Sequence, residues 1–361
     1  MTVTPASKRP LRLALDVMGG DGGVEAAIAG VETARQRGLE ADVMLFGREG
    51  EIKTALASRT ISGSAPTIAH CEDVVTMDDK PTTALRRGRN SSMWRAIAAV
   101  KAGEADAVVS SGNTGALMAM SVTQLRMIEG IDRPAITATW PTLSGRVVVL
   151  DVGANVEASS KQLVQFAIMG EAFFRALTGK EKPVVGLLNV GAEELKGHSL
   201  IRSAATILRD ADPEMSFIGF IEGDDITAGE VDVVVTDGFT GNVALKTAEG
   251  VARLVGGWIK DALTSSVRAQ LGAAIMMPSL RALKDRMNPS KENGAPLLGV
   301  NGLVVKSHGG ADADGVASAL RVAENLAAHP FREEIARTVA QVEQRAKRLD
   351  TEDEPAQAVA E

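Results

Sequence analysis

The sequence predicts an α/β fold built on a buried, mostly parallel sheet. Along the chain, short apolar runs bounded by Gly and Asp alternate with segments of helical period. Apolar residues make up 45% of the 361 positions, aromatics only 3%, and tyrosine is absent. The core is therefore made of Ala, Val, Leu, Ile and Met, which suits helices packed on a sheet covered on both faces. No Pro/Ser-rich linker interrupts the rhythm and no long-period repeat occurs, so residues 1–349 read as a single domain.

The first strand is placed at 11–17 (LRLALDV), an apolar run closed by Asp and Gly, and a helix at 23–37 follows it. Further strands are expected at 42–47, 105–110, 135–140, 146–152, 184–190, 216–221, 231–236 and 303–307, which are further short apolar runs of this kind. Apolar residues at helical spacing place helices at 82–101, 114–128, 160–178, 198–210, 241–262, 264–288, 311–328 and 331–349. The stretch 264–288, with a break near Pro278, is expected to give a protruding helical pair. Residues 350–361 are small and acidic and read as a disordered tail.

A formal net charge of −7 argues against a nucleic-acid binder, which needs a basic face. The one cysteine, Cys71, can form no internal disulfide and reads as a small core residue; no metal-type Cys spacing exists. The N-terminal apolar run ends at Asp16, too short for a signal peptide or a membrane span, so a cytoplasmic location is expected.

One local echo carries chemistry. SSGNTGALMAM at 110–120 and TDGFTGNVALK at 236–246 both run from a β-type segment through G-x-T-G into a helix. Glycine allows close ligand approach, and the helix start offers unpaired N–H groups and a positive dipole end to an anion. Thr114 and Thr240 add hydroxyls there; ordinary helix capping is the competing role for both loops. Neither loop has Walker A spacing, and DVMGGDGG at 16–23, with Gly19 and Gly20, lacks the dinucleotide fingerprint.

Taken with LDVGANVE at 150–157, LLNVGAEELKG at 187–197, GFIEGDDI at 219–226, VDVVVTDGFTGNVALKTAEG at 231–250 and GAPLLGVNGLVVKSHGGADADG at 294–315, these blocks resemble the PlsX-type phosphate acyltransferases of bacterial phospholipid synthesis. They stand in family order over roughly residues 11–330. The departures are small: Val17 replaces the usual Ala, no proline follows Gly22-Gly23-Val24, and LDVGANVEASS lacks the usual Cys-Lys-Pro ending. The resemblance implies a three-layer α/β/α fold like that of isocitrate and isopropylmalate dehydrogenases, a homodimer, and no metal or nicotinamide cofactor. It implies transfer of a long-chain acyl group from acyl carrier protein to inorganic phosphate. The acyl phosphate would feed a glycerol-3-phosphate acyltransferase at the inner face of the cytoplasmic membrane.

Such a reaction needs a phosphate oxygen to attack a thioester carbonyl and release a thiolate whose parent thiol has a pKa of about 8.5, so little proton donation is required. The protein must position the partners and stabilise the oxyanion. No G-x-S-x-G elbow is present and Cys71 lies outside the matched blocks, so direct transfer is expected. Lys196, in EELKG, is the first candidate for charge stabilisation; a solvated surface lysine is the competing role. Asn242, just after GFTG, is a candidate oxyanion donor or a helix cap. Asp16 and Asp237 end strands beside glycine and either orient a lysine or pin a turn. Lys306 and His308, in VVKSHGG, end a strand in the same way; His308 is a candidate phosphate ligand or proton shuttle, with a structural histidine as the competing role. Asn113 and Thr114 are expected to cradle phosphate or the pantetheine arm. Gly19, Gly20, Gly115, Asn155, Thr240 and Gly241 complete the expected substrate-binding set, together with Asp16 and Lys306.

Residues 264–288 set Val267, Leu271, Ile275, Leu280, Leu283 and Met287 at near-helical spacing, with Arg268, Arg281, Lys284 and Arg286 supplying positive charge. The run AAIMMP, containing Ile275, Met276 and Met277, is placed at the apex of the pair. A dimer interface is one reading; a surface that docks the acidic carrier protein or dips into anionic lipid is the other. A phosphotransacetylase using short acyl-CoA and a non-catalytic scaffold for lipid enzymes are the rival functions.

Overall fold

A computed structural model describes residues 9–212, 214–287 and 294–352. In chain order the elements are β1 (Arg12–Asp16), α1 (Gly23–Gln36), β2 (Asp42–Gly47), α2 (Glu49–Ala57), β3 (Thr67–His70), α3 (Pro81–Arg87), α4 (Ser92–Lys101), β4 (Ala107–Ser110) and α5 (Thr114–Leu125). There follow β5 (Ala135–Pro141), β6 (Arg146–Leu150), α6 (Ser160–Thr178), β7 (Val184–Leu188), α7 (Ser199–Ala211), β8 (Ser216–Ile221), α8 (Asp225–Ala228), β9 (Val233–Val235), α9 (Gly238–Thr264) and α10 (Val267–Met287). The chain closes with β10 (Ala295–Leu298), β11 (Leu303–Lys306), α11 (Ala313–Ala327) and α12 (Phe331–Glu352). The chain is an α/β protein whose described residues fall into two compact units, the first within 9–127 and 294–330 and the second within 128–287 and 331–352.

In the first unit the strand order is β3-β2-β1-β4-β11-β10. All neighbours are parallel except β10, which runs antiparallel to β11. Leu13, Ala14, Val108, Val109, Val304 and Val305 are buried, as expected for central strands covered by helices. The register aligns Asp16 with Ser110 and Ser110 with Lys306, so three polar residues stand side by side where three parallel strands end.

In the second unit the order is β5-β6-β9-β7-β8, with β5 antiparallel to β6 and the rest parallel. The buried helix α6 packs on β9, β6 and β7, and α12 packs on α6 and α7. Ser159 closes a capping box with Gln162 at the start of α6, which explains why that helix matches its expected position so closely.

Three expectations are corrected. The helix expected over 82–101 is two helices separated by a 3₁₀ turn at Gly88–Asn90, because the Ser91 hydroxyl accepts from Trp94 N and starts α4 afresh. The helical pair is α9 with α10, not two halves of 264–288. Ser266 ends the reversal by accepting from Ala269 N at 3.2 Å, and Pro278 is accommodated inside α10. Ile275, Met276 and Met277 therefore sit within α10, about two turns beyond the reversal, and not at its apex. Finally, residues 350–352 continue α12, while 353–361 of the expected tail lie outside the described residues. Among the described residues no helix is long and apolar enough to cross a membrane.

Candidate functional site

In the first unit, the ends of β1, β4 and β11 build one polar cluster. Asp16, only 2% exposed, accepts from Ser110 Oγ at 2.7 Å and from Met18 N at 3.3 Å. Burial raises its carboxyl above the ordinary range, against hydrogen bonds from Ser92 and Ser110 that favour the anion. Lys306 is also buried, at 9% exposure. Burial lowers its ammonium to about 8, opposed by the charges of Asp16 and Asp21. Its Nζ donates to the Ser307 carbonyl and, at 3.4 Å, to the Ser111 carbonyl. The lysine thus ties the 110–115 loop to the end of β11.

The glycine loop at 16–23 is laced to the same place. Gly20 has φ +84°, and a Cβ there would lie 2.7 Å from Gly309 O, so only glycine fits without displacing the 307–311 loop. Asp21 N donates to Gly309 O at 2.8 Å. Gly19 lies against Gly112. Gly19, Gly22, Gly23, Ser111 and Gly309 are among the residues that line a small recess there, with room for about one water. His308 is exposed, and its Nδ1 accepts from Gly310 N at 3.1 Å.

Asn113 caps α5. Its Oδ1 accepts from Ala116 N at 3.0 Å, and its amide donates to Met77 O at 2.8 Å and Asp79 O at 2.9 Å. The Asn113 side chain is committed to these bonds, so what the loop presents outward is the start of the helix at Thr114 and Gly115, with first-turn N–H groups and no carboxylate at the cap.

The second unit repeats the motif with different charge. Asp237 caps α9, accepting from Thr240 N and Thr240 Oγ1, both at 2.8 Å. The cap role considered for Asn242 thus belongs to Asp237; Asn242 is exposed within the first turns of the helix, its side chain over Gly153. Beneath it, the buried Asp151 carboxylate accepts from the backbone N–H groups of Ile136, Gly153, Ala154 and Asn155 and from Asn155 Nδ2. The Asn155 amide also reaches Pro134 O at 2.7 Å, so this side chain holds the loop. Gly241 is where α9 meets that loop, since a Cβ there would fall 2.0 Å from Asp151 O.

Lys196 stands in the loop after β7, 52% exposed and 2.8 Å from Glu193, which raises its pKa further. Its ion-pair partner is thus Glu193; among the described residues no hydrogen bond or ion pair joins it to Asp237 or Asn242. The loop is held by Asn189, whose amide donates to the carbonyls of Gly191 and Lys196 at 3.1 Å each. Sequence reasoning missed Ser110, Asp151 and Asn189 as organisers of the site. Each stands at or just past a strand end inside a block already singled out. Arg268, Leu271, Ile275, Met276 and Met277 are exposed on α10; the side chains of Arg281 and Lys284 lie outside the described residues. Among the described residues no group of three or more His, Cys, Asp or Glu could hold a metal ion.

Parallel strands ending in two glycine-threonine loops, each opening a helix, define an α/β protein of the phosphotransacetylase fold class. A phosphotransacetylase from Streptococcus pyogenes superposes with a TM-score of 0.61 at 16% identity, covering 88% of this chain and 94% of that one. A 4-hydroxythreonine-4-phosphate dehydrogenase from Klebsiella pneumoniae gives 0.52 at 12% identity, over 88% of this chain and all of that one. These likenesses concern the fold. The family model described as "Fatty acid synthesis protein" matches residues 11–334. A protein of Caulobacter vibrioides named phosphate acyltransferase is 51% identical over 97% of this chain and 99% of its own length. A second of that name, from Maricaulis maris, is 53% identical over 90% of this chain and 93% of its own. The chain belongs to this fatty acid synthesis protein family of phosphate acyltransferases, and it is an acyltransferase.

Proposed function

We propose that the protein transfers a long-chain acyl group from acyl carrier protein to inorganic phosphate by direct attack, giving acyl phosphate and the free carrier thiol. The observation that carries the reading is the contrast between the two G-x-T-G helix starts. The α5 start is capped by neutral Asn113, and the α9 start by anionic Asp237. A phosphate dianion is stabilised by the first-turn N–H groups of α5 and repelled at α9. The loop at 112–115, with Lys306 anchoring it, is therefore the phosphate site. Lys196 and Asn242 keep the charge-stabilising roles assigned from the sequence. The phosphate oxygen forms the new C–O bond, the tetrahedral oxyanion collapses, and the C–S pair leaves as thiolate.

Incubating the protein with palmitoyl carrier protein and phosphate should yield palmitoyl phosphate by mass spectrometry without added metal. Turnover of acetyl-CoA alone would transfer the reading to a phosphotransacetylase, which the fold likeness favours as the second choice. Lys196→Ala should keep carrier binding and lose turnover; full turnover would remove Lys196 from the mechanism.

The same reading makes the protein a cytoplasmic homodimer that meets the membrane peripherally through α9–α10. In support, Val267, Leu271 and Ile275 stand exposed at i, i+4 and i+8 on α10, Ile275 at 82%. Ile275→Asp with Met276→Asp should weaken binding to phosphatidylglycerol vesicles while turnover on soluble substrate persists; undiminished binding would refute the lipid role. The product would pass to a glycerol-3-phosphate acyltransferase there.

A further inference from the structure

We propose that the basic face of α3, the 3₁₀ turn and α4 docks the acidic protein that presents the acyl thioester. This rests on the carrier-protein reading above and assigns docking to a surface other than α10. Residues 80–103 hold Lys80, Arg86, Arg87, Arg89, Arg95 and Lys101 and not one Asp or Glu, in a chain of net charge −7. All six are exposed. None makes an ion pair or a side-chain hydrogen bond among the described residues, whereas Arg9, Arg37, Arg48, Arg59 and Arg175 are all paired. Like charges held together without counter-ions repel, and a surface of this kind steers an oppositely charged partner.

The surroundings select a protein over a lipid surface. Lipid binding pairs basic residues with exposed apolar side chains. No large hydrophobic side chain between residues 80 and 103 is exposed, in contrast to α10. The location selects the acyl donor over an unrelated acidic protein. The Pro81 ring at the start of α3 abuts Gly115, where a Cβ would lie 2.8 Å from Pro81 Cγ. The Asn113 amide binds the carbonyls of Met77 and Asp79 just upstream. The segment that leads into the basic helices is thus fastened to the loop assigned to phosphate, and a carrier held on those helices would deliver its flexible arm near that loop.

The test compares the full chain with Arg86→Glu/Arg87→Glu/Arg89→Glu, using palmitoyl carrier protein and uncharged palmitoyl-pantetheine as alternative donors. The variant should raise KM for the carrier thioester by at least about tenfold and leave kcat/KM for palmitoyl-pantetheine unchanged. The wild-type carrier KM should rise with salt, and that dependence should flatten in the variant. The Arg→Lys triple should retain most of the carrier affinity, and the Arg→Gln triple provides a milder substitution if the reversal disturbs folding. An unchanged carrier KM overturns the proposal. So does loss of phosphatidylglycerol-vesicle binding with carrier KM intact, which would make the face a lipid surface, and so does loss of both donors in both the Glu and Gln triples. If the wild type uses palmitoyl-pantetheine but never the carrier thioester, the donor reading itself fails, and that result appears before any variant is made.

Discussion

Gly241 offers the sharpest test of how α9 is seated. In an exposed helix, Gly→Ala stabilises by about 1 kcal/mol through backbone entropy. At Gly241 that gain meets a wall, because the new Cβ would lie 2.0 Å from Asp151 O and 3.0 Å from the Thr236 methyl. The first obstacle is backbone, in a loop whose carboxylate already accepts five hydrogen bonds, so it has no cheap way to yield. Overpacking of this kind costs about 1–3 kcal/mol, enough to exceed the helix gain. Gly250, in the same helix, would carry a Cβ with nothing within 4 Å of it and supplies the control. Urea unfolding should show Gly250→Ala stabilised by up to about 1 kcal/mol and Gly241→Ala destabilised by roughly 1–2 kcal/mol. Gly241→Ala should also lose most turnover, since Thr240 and Asn242 move with the helix start. Equal stability of the two variants, with turnover retained in both, would refute the seating argument.

Two pH-dependent predictions follow from buried charges. The folded-state value of Lys306, about 8, lies below the ordinary lysine value of about 10.4, so the folded chain binds fewer protons between them. The contribution is present in full above the unfolded value and is lost as pH falls through about 8; wild type should gain stability relative to Lys306→Met between pH 8 and 10, and a flat difference in urea midpoints would count against it. Glu171 behaves oppositely. Burial beside Asp212 and Glu334 raises it to about 7, despite Arg175 at 2.9 Å, so its contribution is present below about 4.5 and lost as pH rises through 7. Glu171→Gln should therefore gain on wild type as pH rises from about 4.5 to 7, by roughly 2 kcal/mol in thermal or urea unfolding, and a constant difference would refute it.

The ends of the strands were legible in the sequence; the lateral arrangement was not. Asp16, the 110–115 loop and Lys306 were each marked by an apolar run stopping at glycine or a polar residue. Their meeting depends on the register Asp16–Ser110–Lys306 across strands nearly 300 residues apart, which no local pattern encodes. Asp151 and Asn189 escaped notice for a different reason. An Asp or Asn after a strand ordinarily signals a turn, and only the number of bonds it makes shows that it holds a loop. The missed elements were short ones with weak local signals. Edge strand β3 has no buried residue, β10 contains Pro296, and α2 buries only Ile52 and Ala55.

The helix α9 links the site to the surface that still lacks a cover. Its 27 residues span roughly 40 Å, yet Gly238 and Gly241 are its only buried positions among those described. Val251, Leu254 and Trp258 are at least half exposed along its length. A helix so poorly buried on its own unit gains little from packing there, and most helical stability in proteins comes from packing. Its direction is set at the N-terminus, by the Asp237 cap and by the close fit of two glycines over the Asp151 loop. Val251, Leu254 and Trp258, at i, i+3 and i+7, form the exposed apolar part of α9 that the dimer or lipid contact proposed above would cover. The contacts that hold Thr240 and Asn242 in place also aim the α9–α10 hairpin, so under the proposed function chemistry and attachment would rest on the same few contacts.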